Sequence, residues 1–519
     1  MKRNKFFNQK SVTFMFVCLF SFFLSSRVLA ATFYIDSATG NDTRTSAQAQ
    51  SQSTPWAHMP GMSGCTSNCA SYSVQAGDVF VLKGGSTWKF SSTTANLITI
   101  GTSGITIQGG QRLDTPWGSG YPVIDGAGCT TSRMAIIGTN KSLTVDGIKI
   151  INMGYAPDSS RGFGIFLDGG DTIEIKNCWL ETSAIDALAI GMSAGNVNHL
   201  WIHDNHFKNN GRVEIGKGSG DSAYSMNDIQ IYNNLYEGPG QVNYGVYHLD
   251  GFMIQANNKT DYGIKNLKIY NNKFYGDWSQ GGTALIFLSG CNFSGGVCKG
   301  DNGPYSTKNV EIYNNVVSFE NNTWSGGTGP NISPALVDIQ AGSHENIMIY
   351  NNTISSSAIT NAVSSCIFAG VPINGLIIKN NIISGCDNGI TLGQDITGTL
   401  EIDYNLYNIT NGFHRFINGW PGSGAADCRN LAACRVAPFS SEAHGISGNP
   451  LFVALPSGGV TGSGNWHLQS SSPAIGKGIN LRTYFTTDID GKDRGYLWDI
   501  GAYQYKTPPA PPTNLRIVR

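Results

Sequence analysis

The sequence predicts an all-β solenoid, a chain wound into stacked turns of short strands that we call coils. The first observation is a recurring phrase: an apolar residue, any residue, isoleucine, any residue, Asn-Asn and another apolar residue. It stands most plainly at residues 229–236, IQIYNNLY. The second observation is the spacing of the copies. When less exact copies are included, the key isoleucines of successive copies lie 24 to 43 residues apart. This spacing indicates a unit of minimum length with loops added, centred on Ile175, Ile202, Ile231, Ile269, Ile312, Ile349, Ile378 and Ile402.

Each part of the phrase predicts a local structure. The alternation of apolar and variable residues is the period of a strand with one buried face. Asparagine adopts left-handed backbone geometry more readily than most side chains do, so Asn-Asn indicates a sharp bend. An apolar residue stands five positions after each key isoleucine, as Phe274 follows Ile269, and a weaker strand such as residues 252–254 lies between copies. Each coil is therefore expected to hold about three short strands.

Over roughly residues 98–407, this pattern resembles the right-handed parallel β-helix of the pectate-lyase-like superfamily. In that fold, asparagine side chains of successive coils stack into ladders at the bend. The resemblance implies an exported bacterial β-helix repeat protein, with stacking expected at Asn234, Asn272, Asn315 and Asn352. It does not fix the activity, because the fold carries lyases, hydrolases, epimerases, adhesins and phage spikes.

Further segments flank the solenoid. Residues 1–30 have the features of a secretory signal peptide, since basic residues precede a short apolar run that ends at Ala30. Cleavage after Ala30 would make the protein secreted or bound to the cell surface, and no later stretch is apolar enough to span a membrane. The mature chain then divides into four segments. Residues 31–96 form an N-terminal cap with its first strand, and residues 97–410 form the right-handed parallel β-helix. Residues 411–505 form a β-rich C-terminal module, and residues 506–519 form a proline-rich tail.

Charge and cysteine content narrow the function. The chain carries 34 basic and 35 acidic residues, and removal of the five basic residues of the signal leaves a formal charge of −6. The electrostatic footprint of a nucleic-acid-binding protein is therefore missing. Ten cysteines remain after cleavage, an even number that favours disulfides over a zinc site in an exported chain. We expect three close pairs in loops: Cys65 with Cys69, Cys291 with Cys298, and Cys428 with Cys434.

Acidic residues on the weaker strand are the candidates for chemistry. The inward positions of a solenoid are filled by packing, so a site must lie on an outer face. Three consecutive coils supply acids there: Asp186, Glu214 and Asp250. Stacked carboxylates repel one another unless a cation lies between them, and calcium prefers oxygen ligands. The sequence therefore predicts a calcium site at these residues, against the plainer alternative of solvated acids at strand ends.

The same region is similar to pectate lyases. Residues 186–190 and 200–204, DALAI and LWIHD, resemble the Asp-Ala-Ile and Trp-Ile-Asp-His stretches of those enzymes, in which acids on consecutive coils of this face hold calcium. Here the Asp and His stand in reversed order, and the catalytic arginine motif of the family is not found. Lys217, just past the strand of Glu214, is the nearest candidate for the catalytic base, and His248 is the second.

Two histidines flank the bend that follows the neighbouring strand. By the alternation of the other copies, His203 and His206 lie outside the core. They are candidate substrate-binding residues, and as a pair across a turn they could bind a metal, although no third ligand is evident. The alternative is surface stacking against Lys176, Trp179 and Tyr232.

Together these observations predict a monomeric, secreted, carbohydrate-active protein. The first hypothesis is a calcium-assisted polysaccharide lyase that acts on an acidic, uronate-containing polymer. The second is a non-catalytic exported β-helix that binds carbohydrate or a cell surface. A glycoside hydrolase is the third, although the aspartate and histidine phrases of hydrolytic members are absent.

Overall fold

The chain is a parallel β-helix, as the repeats predict. In the computed structural model, most strands fall into three twelve-stranded sheets, and neighbours within a sheet come from successive coils. A coil passes from a strand of the second sheet to one of the first, turns the Asn-Asn bend, and enters the third. The structure describes residues 30–89, 96–126, 133–153, 162–181, 186–217, 224–238, 249–255, 261–276, 282–290, 292–294, 297–299, 306–319, 335–356, 365–386, 388–393, 396–409, 412–416, 426–437, 439–455 and 464–506. The predicted signal peptide, except for Ala30, and the tail, except for Lys506, lie outside these ranges.

The first sheet contains the key isoleucines, in strands Thr32–Ile35, Val79–Leu82, Ile105–Gly109, Leu143–Asp146, Thr172–Lys176, His199–His203, Met226–Tyr232, Ile264–Tyr270, Thr307–Tyr313, His344–Tyr350, Ile373–Lys379 and Ile396–Asp403. The second contains Asn96–Ile100, Arg133–Thr139, Gly162–Asp168, Asp186–Gly191, Arg212–Lys217, Leu249–Gln255, Gly282–Ser289, Ala335–Gln340, Ser365–Ala369, Asn388–Leu392, Gly412–Phe416 and Ala426–Cys428. The third contains Thr87–Lys89, Val123–Asp125, Lys149–Ile151, Trp179–Glu181, His206–Lys208, Leu235–Glu237, Lys273–Tyr275, Val316–Phe319, Thr353–Ser356, Ile382–Ser384, Leu406–Asn408 and Ile446–Ser447.

Within the described residues, elements outside these sheets are few and short. They are two antiparallel hairpins, Asn292–Ser294 with Val297–Lys299 and Phe452–Ala454 with Asn465–Leu468, the α-helices Ser46–Ala49, Ser67–Ser71 and Leu431–Cys434, and the 3-10 helix Gly110–Arg112. No helix in the described part of the chain is long and apolar enough to cross a membrane.

The two asparagines of each phrase have different tasks at the bend. The first adopts the predicted left-handed backbone geometry, with φ between 51° and 56° at Asn233, Asn271, Asn314 and Asn351. The second is buried. Its amide bonds to neighbouring coils: Asn272 Nδ2 donates to Ile231 O at 2.9 Å and to Asn315 Oδ1 at 3.0 Å. Equivalent bonds are made by Asn234, Asn315 and Asn352, which confirms the predicted stacking.

The asparagine ladder has a defined start and end. It runs from Asn205 to Asn405, and Glu442 closes it by accepting from Asn405 Nδ2 at 2.8 Å. At the other end, the N–H of Cys178 donates to Asn205 Oδ1 at 2.9 Å. Cys178 is a buried free cysteine, and burial raises the pKa of its thiol to about 12. Its thiol therefore stays protonated and inert at neutral pH.

The C-terminal module packs along the outside of this bend. Asn314, a first-position asparagine, donates from Nδ2 to Thr487 O at 2.9 Å and accepts from Arg494 Nη2 at 2.8 Å. Asn351 donates in the same way to Gly501 O at 3.0 Å. The left-handed geometry that makes the turn thus also points these amides outward, and the module satisfies those of Asn314 and Asn351.

Two of the predicted disulfides are confirmed, Cys65–Cys69 and Cys428–Cys434. A disulfide that the sequence did not predict joins Cys366, in strand Ser365–Ala369, to Cys386, which lies between strands Ile382–Ser384 and Asn388–Leu392. The predicted pair of Cys291 with Cys298 involves side chains outside the described residues.

Candidate active site

The second sheet has a covered outer face. In strand Leu249–Gln255, Phe252 joins the main core, whereas Met253 forms a separate small cluster with Ala284 and Phe287. Because successive side chains alternate between the faces of a strand, this cluster lies on the outer face. Glu214 is in register with Met253 and therefore shares that face.

Four charged side chains gather on this sheet, and we call them the acid–arginine cluster: Asp186, Arg212, Glu214 and Asp250. Arg212 Nε donates to Asp186 Oδ1 at 2.8 Å, and its Nη2 donates to Glu214 Oε2 at 3.0 Å. Asp250 Oδ1 accepts the N–H of Ala284, in the next coil, at 3.1 Å. All four are buried, with exposed fractions of 0% for Asp186, 9% for Arg212, 3% for Glu214 and 0% for Asp250.

Strand register decides which of these groups meet. Asp186 is paired with Arg212, and an irregular step follows, so that Glu214 is paired with Ala189 rather than with Leu188. Asp186 and Glu214 are therefore not in register with each other. The three acids consequently do not form the single row that the sequence suggested. An arginine lies beside the first acid instead.

Arg212 supplies a permanent positive charge. Burial by itself would lower the pKa of its guanidinium, but the negative charges of Asp186, Glu214 and Asp250 outweigh that effect and raise the pKa above its usual value. An arginine held in this way cannot act as a base. It pairs two of the carboxylates for which the sequence predicted calcium.

Asp186, Glu214 and Asp250 are the right residue types for a calcium site, but they are not arranged as one. Carboxylate oxygens are the ligands that calcium prefers. Within the described residues, however, no group of three or more His, Cys, Asp and Glu side chains is arranged to hold a metal ion. The described geometry therefore does not build the predicted three-carboxylate site, and calcium binding stays a prediction.

A further buried acid, Asp338, lies on the same sheet in strand Ala335–Gln340. Gln340 Nε2 donates to its Oδ2 at 2.8 Å, whereas Oδ1 has no hydrogen-bond partner among the described residues. Burial raises the pKa of Asp338 to about 8, and the charge of Asp250 contributes in the same direction. At neutral pH this carboxyl is therefore mostly protonated.

The predicted bases are located only in part. Lys217 ends strand Arg212–Lys217, and its backbone is paired with Gly191. The side chain of Lys217 and all of His248 lie outside the described residues. Their roles as bases remain predictions.

The two predicted substrate-binding histidines lie at the bend between the first and third sheets, whereas the acid–arginine cluster lies on the second. His203 stacks on Tyr232 with ring centres 4.6 Å apart, and its Nε2 lies 3.2 Å from Glu174 Oε1. His206 lies 4.2 Å from the ring of Trp179. The stacking alternative is thus what the structure shows, and substrate binding by these rings stays a prediction.

Sequence reasoning missed two residues of this face, Arg212 and Asp338. Arg212 and Glu214 stand two apart on one strand, so alternation alone places them on the same side. Asp338 lies between the core residues Val337 and Ile339 in the same way. Those signals were present in the sequence.

These features define a class: a parallel β-helix with a buried cluster of charged side chains on one sheet. No family model and no curated protein sequence matches the chain. Among solved structures, the chain is similar to the crystal structure of pectate lyase Pel9A, with 14% identity, a TM-score of 0.39, and coverage of 92% of this chain and 96% of that one. It is also similar to a GH136 lacto-N-biosidase from Eubacterium ramulus, with 13% identity, a TM-score of 0.36 and coverage of 72% of this chain. The match spans 63% of the biosidase, less than two thirds of its length.

Proposed function

We propose that the protein cleaves an acidic polysaccharide and that the acid–arginine cluster marks its reaction centre. The observation that carries this proposal is the pairing of buried Arg212 with Asp186 and Glu214. Burying such charges costs on the order of several kcal/mol per ion, and a hydrophobic replacement is often as stable. The charged groups of this cluster are buried outside the main core despite that desolvation cost. This placement favours a functional role.

The shape of the fold supports a polymer as the substrate. Successive strands of a sheet lie about 4.8 Å apart, so an extended chain that runs along the solenoid can contact several coils. The acidic balance of the mature chain argues against a nucleic acid as that polymer.

The reaction we propose is β-elimination. A base removes the proton from the carbon next to a uronate carboxylate, the electron pair forms a C=C bond, and the glycosidic C–O bond breaks as the leaving oxygen takes up a proton. Lys217 is the first candidate base, because its strand also carries Arg212 and Glu214, and it would need a lowered pKa to be unprotonated. A uronate carboxylate could pair with Arg212 by competing with its present carboxylate partners.

Calcium is the second proposed source of positive charge at Asp186, Glu214 and Asp250. When bound, it would withdraw electron density from a uronate carboxylate. Titration calorimetry tests this part separately. We expect the wild type to bind calcium and Asp250→Asn to bind it more weakly; no heat with the wild type would remove calcium from the proposal.

A product assay tests the function itself. The secreted protein is incubated with a panel of polyuronates plus calcium, and unsaturated ends (ultraviolet absorbance) and new reducing ends are measured in the same samples. Elimination, the expected result, raises both signals. Reducing ends alone would overturn elimination in favour of hydrolysis, and neither signal together with retention of the polymer would favour the non-catalytic binding protein.

A further inference from the structure

Asp338 is a buried acid in apolar surroundings. Its strand is the second after that of Asp250 in the sheet, which places the two strands about 10 Å apart. Its neighbours in register are Phe287 on one side and Phe368 on the other. Its exposed fraction is 6%. A carboxyl between two aromatic positions is unusual, because an ionised carboxylate is poorly accommodated in apolar surroundings.

The hydrogen bonds of Asp338 are incomplete. Oδ2 accepts from Gln340, but Oδ1 is buried without a partner among the described residues. Buried polar atoms in native proteins nearly always have partners, so an exception calls for an explanation. Packing gives none, since the adjacent residues Val337 and Ile339 already fill the core. A proton donor whose acceptor is a substrate atom accounts for this unpartnered oxygen.

We propose that Asp338 is the proton donor of this site and protonates the glycosidic oxygen as the bond to it breaks. The inference rests on the proposed function, and it holds for elimination and for hydrolysis. The O–H bond of the carboxyl breaks, its proton passes to the leaving oxygen, and Asp338 remains as a carboxylate that regains a proton from water.

Its surroundings suit that task. Among the described residues, Asp250 is the charged group whose electrostatic effect reaches Asp338. Its negative charge disfavours ionisation of Asp338, because that would place a second negative charge near the first. Because the pKa of Asp338 is raised from 3.8 to about 8, the protonated donor is lost as pH rises through about 8. By the same linkage, the stability that Asp338 contributes is fully present below pH 3.8 and decreases as pH rises toward about 8.

The decisive variant is Asp338→Asn, which keeps the shape of the side chain and an oxygen for Gln340. Infrared difference spectra of wild type against variant should show the C=O stretch of a protonated carboxyl below neutral pH and lose it above about pH 8.

With polysaccharide as the substrate, the kcat of Asp338→Asn should be lower than that of the wild type by about 100-fold or more. A small uronate whose leaving oxygen belongs to a nitrophenol needs little protonation, and its cleavage should fall far less. The control is the same substitution at an exposed acid, Asp261→Asn, which should leave kcat on polysaccharide at the wild-type value.

The outcomes separate the two proposals. If the infrared signal of a protonated carboxyl is the same in wild type and variant, Asp338 is not the protonated group and the inference is overturned, whatever the activity. If the wild type cleaves and the variant cleaves equally fast with the same pH profile, Asp338 is not the donor although the proposed function stands. If the wild type cleaves no polymer while the infrared signal is present, it is the proposed function that fails, and the donor role fails with it.

Discussion

Replacing Asn272 with leucine is expected to lower the free energy of unfolding by about 3 to 5 kcal/mol, since several buried groups lose partners together. Asn272 Nδ2 donates to Ile231 O and to Asn315 Oδ1, while its Oδ1 accepts from both the N–H and the Nδ2 of Asn234. Leucine has a similar volume but can neither donate nor accept. Equilibrium urea unfolding of wild type and variant measures the difference.

The same substitution at Asn227 is the matched control. Asn227 accepts one exposed hydrogen bond, from Asn266, so Asn227→Leu should change stability by no more than about 0.5 kcal/mol. Equal, small effects of the two variants would mean that the ladder does not hold the coils together.

Replacing Arg212 with leucine should destabilise the protein by about 3 to 5 kcal/mol, because removing one partner of a buried ion pair leaves the other charge uncompensated. Here the guanidinium contacts both Asp186 and Glu214. Urea unfolding again provides the measurement. We expect Arg212→Leu to lower the free energy of unfolding most at a pH where the carboxylates are ionised, and less at acidic pH, where they are protonated.

An exposed pair of the same type serves as the comparison. Arg482 pairs with Asp493 at 3.0 Å on the surface of the C-terminal module, and Arg482→Leu should cost less than about 1 kcal/mol. If Arg212→Leu is no more destabilising than Arg482→Leu, the acid–arginine cluster is not held by its arginine.

The fold was predictable because each coil repeats one local rule. Asn-Asn determines both the bend and the ladder, so the predicted stacking at Asn234 and Asn272 needed no knowledge of distant residues. The position of the candidate acids on a single sheet followed from their place on the weaker strand of successive coils.

What the sequence did not reveal depends on contacts between coils. Pairing of Asp186 with Arg212 results from an irregular step in the register, and loops of variable length hide that step. The Cys366–Cys386 disulfide likewise needs two adjacent coils to be aligned. Docking of the C-terminal module on Asn314 joins residues more than a hundred positions apart, a distance at which a local pattern carries no information.

The most direct test of the central claim is the initial rate of polyuronate cleavage by the variant Glu214→Gln. Glu214 pairs with Arg212 inside the cluster, whereas Glu401 is an exposed glutamate on the first sheet and gives the control Glu401→Gln. With both variants shown to be folded by circular dichroism, the cluster as reaction centre predicts that cleavage falls by about 100-fold or more in Glu214→Gln and stays at the wild-type rate in Glu401→Gln. Wild-type cleavage by folded Glu214→Gln would contradict it.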